Sequence, residues 1–185
     1  MIGVYILIGL IVVLGLYFVA AYNGLVRLRN QVQNAWSQID VQLKRRHDLI
    51  PNLVETAKGY MKHEQETLTR ITEARNLARN AKSVGEASQA ESQLSAALGQ
   101  FFVVVENYPD LKANQNFLAL QEELTSTENK ISFARQFYND QVMRYNTAIQ
   151  TLPRNIVAAI GGFTPKEFFE IKTATEREAP KVSFS

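Results

Sequence analysis

The stretch LKRRHDLIPNLVETAKGY (Leu43–Tyr60) puts a basic pair, a His–Asp pair and a proline inside a run whose apolar residues keep helical spacing. How the chain passes Pro51 decides how many helices the remainder can form. A proline inside a helix removes a backbone donor and pushes its ring against the carbonyl one turn back, so the segment must bend or break there. Two layouts are possible: a kinked long helix in a domain of three long helices, or a chain that turns back and builds an up-and-down four-helix bundle. Apolar residues on both sides of Pro51, with no adjacent glycine, favour a buried kink or tight junction over an exposed loop. The expectation is therefore an all-α fold. An N-terminal transmembrane helix continues into an elongated antiparallel four-helix bundle, one helix of which is bent or broken at Pro51.

Towards the amino terminus, Leu25, Leu28, Val32, Ala35, Ile39, Leu43 and Ile50 recur at steps of three, four or seven and so share one helical face, with Trp36 beside it. Beyond the proline the stripe resumes with Leu53, Ala57, Tyr60, Leu68, Ile71 and Ala78, and gives out near NAKSVGEAS, where Gly85 and the serines suggest a turn. A third stretch, SQAESQLSAALGQFFVVVENY, ends at YPDL, where Pro109 suits the first turn of a new helix. From there to TLPRN nothing interrupts the pattern.

The first residues are apolar throughout. No charged side chain appears from Met1 until Arg27, and about 20 apolar residues in helix cross a hydrocarbon core of roughly 30 Å. Residues 1–24 read as a membrane anchor, 25–170 as a helical bundle and 171–185 as a flexible tail. A cleaved signal peptide would have a basic start and a shorter apolar core. Arg27, Arg29, Lys44, Arg45 and Arg46 all come after the span, and nothing basic but the amino terminus precedes it. The positive-inside rule then places the amino terminus outside and the bundle in the cytoplasm; a bundle on the periplasmic or extracellular face is the alternative.

Composition narrows the function classes. Lys and Arg total 20 against 18 Asp and Glu, a net charge of +2, far from the basic excess that nucleic-acid binding needs. With no cysteine there is no disulfide framework, thiolate metal site or cysteine nucleophile. His47 and Asp48 are neighbours, so on a helix they point about 100° apart and form no hydrogen-bonded pair by spacing alone. His47 and His63 are the two histidines and make no HExxH pattern. No catalytic, cofactor or metal residues are assigned.

A heptad seam runs through Phe117, Gln121, Leu124, Glu128, Ile131, Arg135, Tyr138, Val142, Tyr145, Ile149 and Leu152. Gln121, Glu128 and Arg135 fall on one heptad position, and Arg46, Glu64 and Arg75 fall on the stripe of the first helix. Buried charges must be paired and hydrogen-bonded. Some of Arg46, Glu64, Glu128 and Arg135 are thus expected to meet across the bundle as a structural polar seam, unless their long side chains lie at the seam's edge and reach water.

Near the carboxyl terminus, NIVAAIGGF precedes TPKEFFEI, where Thr164 suits a helix cap and Pro165 the first helical position. Ile156, Ile160, Phe163, Phe168 and Phe169 need cover. The expected cover is the end of the bundle core; the alternative is lipid or a partner.

Two stretches exceed a generic bundle. RRHDLIPNLVETAKGYMKHE and FYNDQVMRYNTAIQTLPRNIVAAIGGF, with YPDLKANQNFLALQEEL and TENKISFARQFYN between them, resemble the LemA family of bacterial membrane-anchored helical proteins. Matching pattern positions are Arg46, Asp48, Pro51, Asn52, Leu53, Glu64, Pro109, Leu111, Glu128, Arg135, Tyr138, Asn139, Tyr145, Asn146, Pro153 and Phe163. The resemblance implies one amino-terminal span, a compact helical bundle and no enzymatic activity. It also implies neighbours such as membrane proteases and, in one branch, work on magnetosome membranes. The expected function is a non-enzymatic scaffold or adaptor at the lipid bilayer that self-associates or engages a membrane protease or membrane-assembly partner. A membrane-linked signal relay is the second reading, and a metal-dependent hydrolase using His47, His63 and carboxylates the third.

Overall fold

The computed structural model describes residues 1–170, so the tail assigned to 171–185 lies outside the described residues. Those residues form α-helices and, among them, no strand: α1 (Ile2–Lys58), α2 (Gln65–Arg79), α3 (Val84–Val105), α4 (Pro109–Lys112), α5 (Gln115–Gln150) and α6 (Arg154–Ile160).

Helix α1 passes through Pro51 without a break and ends seven residues later, at Lys58. Of the two forms expected at the proline, a bend or a break, the break does not occur; the chain turns at residues 59–64. Both penalties of a helical proline fall on one group, the carbonyl of residue i−4, which here is His47. Arg75 of α2 donates its Nε–H to that carbonyl at 2.6 Å. The acceptor orphaned by Pro51 is therefore satisfied from another helix, and α1 continues. The ring of Pro51 is exposed while Ile50 and Leu53 beside it are buried. The end of α1 lies at Gly59, where Tyr60 and Met61 bond back to the carbonyl of Ala57.

The other boundaries have local causes. Ser83 caps α3 by accepting from the amide of Glu86 at 3.1 Å, and the Glu86 carboxylate in turn accepts from the amide of Lys82 at 2.8 Å. Pro109 opens the single turn of α4. A break at residues 113–114 that the sequence pattern conceals then separates α4 from α5, and Asn114 Oδ1 accepts from the amide of Phe117 at 3.1 Å.

The chain divides into two compact units. Of the described residues, one unit comprises Met1–Asp40 and Phe133–Phe168; the other comprises Val41–Ser132 and residues 169–170. In the second unit α2 packs on α3. Its core gathers Ile50, Leu53 and Ala57 of α1 and Met61 of the turn after it with Leu68 and Ile71 of α2, Leu94, Leu98 and Phe101 of α3, Leu111, Phe117 and Leu124. The rings of Phe101 and Phe102 meet edge to face, their centroids 5.3 Å apart. In the first unit, Ala21, Leu25, Val32, Ala35 and Ile39 of α1 are buried, as are Tyr138, Val142, Tyr145 and Ile149 of α5. Trp36 meets Tyr138 edge to face with centroids 5.6 Å apart.

The seam along α5 keeps its predicted apolar positions but not its polar ones. Phe117, Leu124, Ile131, Tyr138 and Tyr145 are buried as expected, but Gln121 is exposed and Glu128 and Arg135 are half-buried. Buried polar side chains of α5 are instead Thr127, beside Glu128, and Gln141, beside the buried Val142. Thr127 meets its need for a partner locally, its hydroxyl donating to the Glu123 carbonyl at 2.8 Å.

Candidate functional site

A buried polar cluster in the second unit centres on Glu91 of α3, which is only 2% exposed. Each carboxylate oxygen has its own partner: His47 Nε2 stands 2.5 Å from Oε1, and Arg46 Nη1 stands 3.2 Å from Oε2. An ionised carboxylate only accepts, so the His47 tautomer with its proton on Nε2 completes the first bond. Arg46 extends the network. Its Nη1 also lies 3.1 Å from Glu128 Oε2 on α5, and its Nη2 donates to Ser95 Oγ at 2.8 Å. Arg75 completes the surround through the His47 carbonyl. The planar guanidinium is suited to such use, since its donors lie in a fixed fork that can serve several acceptors at once.

Adjacent helix positions let one segment supply both donors. Arg46 and His47 diverge by about 100° around α1, which allows them to approach the two oxygens of one carboxylate from different sides. Lys44, Arg45 and Asp48 of the same turn are exposed, and Arg45 pairs with Glu123. A cleft of about 250 Å³ opens beside the cluster, lined by Arg46, Ser95, Leu98, Phe102, Leu124 and Glu128 among others. Glu128 is the group the network presents to solvent, its side chain 46% exposed.

The members of the predicted polar seam therefore separate. Arg46 and Glu128 meet; Glu64 and Arg135 lie elsewhere. Glu64 precedes α2 and accepts from the Tyr108 hydroxyl at 3.3 Å, while Arg135 is half-buried in the first unit. Sequence reasoning missed Glu91 and Ser95 and assigned His47 no catalytic or metal role. His63 is exposed, and among the described residues no group of three or more His, Asp or Glu side chains is placed to hold a metal ion.

The first unit contains a different arrangement, a clamp on extended backbone. Residues 163–170 are not helical, which corrects the helix expected from Thr164. Side chains of α5 hold the backbone groups that such a helix would have bonded internally. Tyr145 donates its hydroxyl to the Thr164 carbonyl at 3.0 Å, and Tyr138 donates to that of Glu167 at 2.9 Å. Asn146 pairs with Lys166 as one β-strand pairs with another. Its Nδ2 donates to the Lys166 carbonyl at 2.9 Å, and its Oδ1 accepts from the Lys166 amide at 2.8 Å.

Burial, and after it the charge of Glu167, push the Tyr138 phenol up to about 12. Burial raises Tyr145 as well, with Arg29 pulling it the other way. Both tyrosines therefore remain neutral donors at physiological pH. Asn139, between them, is half-buried; Asn52, in α1, is exposed, and its carbonyl accepts from Thr56.

Two glycines bring the chain into this clamp. Gly162 has φ +68°, and a Cβ on Gly161 would lie 2.6 Å from the ring of Phe163. Phe163 and Phe169 are buried, as expected of residues that need cover, but Ile156 and Ile160 are exposed. In the second unit, Ser88 donates to the Glu170 carbonyl.

The LemA family model matches residues 35–184, which takes in the buried cluster, the clamp and the segment it holds. The chain belongs to the LemA family. It is 34% identical to Protein LemA of Metamycoplasma hominis over 76% of this chain and 65% of that protein. It is 26% identical to Magnetosome protein MamQ 2 of Paramagnetospirillum magneticum and 25% identical to Magnetosome protein MamQ of Magnetospirillum gryphiswaldense. Each of those two matches covers 83% of this chain and 66% of the relative. The chain thus spans a little under two thirds of the length of these relatives. The apolar first part of α1, which precedes the matched residues, is a candidate membrane span of mean hydropathy 2.7.

Proposed function

We propose that this LemA-family chain is a membrane-anchored, non-enzymatic scaffold or adaptor that self-associates or holds an envelope partner such as a membrane protease. The observation that carries the reading is the division of labour along α1. From Met1 to Ala20 every residue but the half-buried Phe18 is exposed, and from Ala21 onwards the buried stripe begins. An apolar helix bare of protein contact is the form of a lipid-embedded anchor, and the helix beyond Ala20 is packed for shape.

The polar groups support the same reading. Arg46, His47, Glu91 and Ser95 use their capacity on one another, which specifies how helices pair and in which register. The clamp fixes backbone rather than presenting a reactive atom. Kinship with proteins named for the magnetosome supports work on a defined membrane patch. We place the bundle on the cytoplasmic side of the inner membrane on the strength of the basic residues that come after the span.

The test is the mass of the full chain extracted in mild detergent, read by native mass spectrometry with and without prior crosslinking in cells. A defined oligomer, or one partner recovered in fixed ratio, is the expected result. A strict monomer without a partner overturns the scaffold reading.

A further inference from the structure

Helix α6 carries apolar side chains on both sides. Val157 and Ala158 are buried in the first unit, whereas Ile156 and Ile160, one turn apart on a shared face, are 57% and 69% exposed. Leu152, just before the helix, is 77% exposed. Three large aliphatic side chains left bare in and just before one short helix demand an occupant.

Their position identifies it. The amide of Phe163 donates to the Ala158 carbonyl at 3.0 Å, which ties this aromatic ring to the end of α6. The same ring packs edge to face on Tyr22, with centroids 5.4 Å apart, and the guanidinium of Arg29 lies 5.3 Å from its centre. Tyr22 comes directly after the bare apolar stretch of α1. At about 1.5 Å per residue that stretch is as long as a hydrocarbon core is thick, so Tyr22 stands at the depth where interfacial aromatic residues collect. Arg154, the first residue of α6, is exposed and adds a cation suited to lipid phosphates.

We propose that α6 and the turn before it form a second membrane contact, in which Leu152, Ile156 and Ile160 enter the headgroup and upper acyl region of the leaflet from which α1 emerges. The proposal rests on α1 being inserted in a bilayer. A short amphipathic element in this position lies in the interface, its apolar face about 5–10 Å deep. It makes the anchor two-pointed, so the first unit is held at a set angle to the bilayer instead of swinging on a single helix.

The chain contains no cysteine, which allows site-specific labelling of the full-length protein. Ile156→Cys and Ile160→Cys, each carrying an environment-sensitive fluorophore, are reconstituted in phosphatidylcholine–phosphatidylglycerol vesicles with and without nitroxide lipids. Leu10→Cys reports on the span and Asp140→Cys, an exposed site on α5, on water. The expected result is blue-shifted emission at 156 and 160 and quenching several-fold greater than at 140. Quenching at 10 with solvent-like behaviour at 156 and 160 overturns the second contact alone. No quenching at 10 overturns the anchor and this proposal with it. Both substituted isoleucines are exposed, so circular dichroism of the variants matches that of the parent chain.

Discussion

At the scale of single residues, Glu91 holds the second unit's polar network together, since it accepts from His47 and Arg46 on separate oxygens. Removing one partner of a buried charged set leaves the others desolvated and unpaired, a loss of about 3–5 kcal/mol. Glu91→Ala is expected to destabilise the chain by that amount in urea unfolding monitored by circular dichroism. Replacing Arg46, His47 and Glu91 together by apolar residues of similar volume should recover most of it, because no stranded charge remains. A cost below about 1 kcal/mol for the single change would remove Glu91 from this role. Half of the cluster was legible: Arg46, Arg75 and Glu128 were visible as charges on apolar stripes. Glu91 was equally visible in principle, since Ala87, Glu91, Leu94, Leu98, Phe101 and Val105 alternate steps of four and three. A single carboxylate in that register announces burial, but which cations meet it depends on how the helices pack, and periodicity within one helix carries no such information.

At the scale of elements, the long helices were legible because their apolar spacing is sustained, and the errors fell where a distant side chain overruled a local rule. Pro51 has the local chemistry of a break, yet α1 continues because Arg75, from another helix, takes the freed carbonyl of His47. Thr164-Pro165 has the local chemistry of a helix start, yet Tyr138, Tyr145 and Asn146 bind the backbone beyond it in extended form. The true end of α1, near Gly59, lay within a stripe that runs on in sequence to Ala78. The Pro51–Arg75 relationship makes a double-mutant cycle decisive. Arg75→Met strands the His47 carbonyl and should cost about 1–3 kcal/mol. In a Pro51→Ala background residue 51 regains its N–H, the helical bond to His47 can form, and the same change should cost less, with a coupling of about 1 kcal/mol. Strict additivity would mean that Arg75 serves α1 in some other way.

For the whole molecule, the span was plain from composition, whereas the division into two units was not. Two of its three boundaries fall between Asp40 and Val41 and between Ser132 and Phe133, both in the interior of unbroken helices, where the stripe shows no interruption to read. Sidedness is argued from charge alone: Arg27 and Arg29 come directly after the span, and translocating basic residues past a membrane potential is disfavoured. A cysteine placed at Ser185 is the sole thiol in the chain, so a membrane-impermeant maleimide reports on the carboxyl-terminal side of α1. The expected outcome in intact cells is protection, with full labelling after lysis. Partners are then to be sought among cytoplasmic faces of membrane proteases and assembly factors. Labelling of intact cells would invert the orientation and turn both the cleft beside Arg46 and the aliphatic face of α6 towards the envelope. In that case the basic residues beyond Tyr22 would have crossed the bilayer, and the outer leaflet would be the one that receives Ile156 and Ile160.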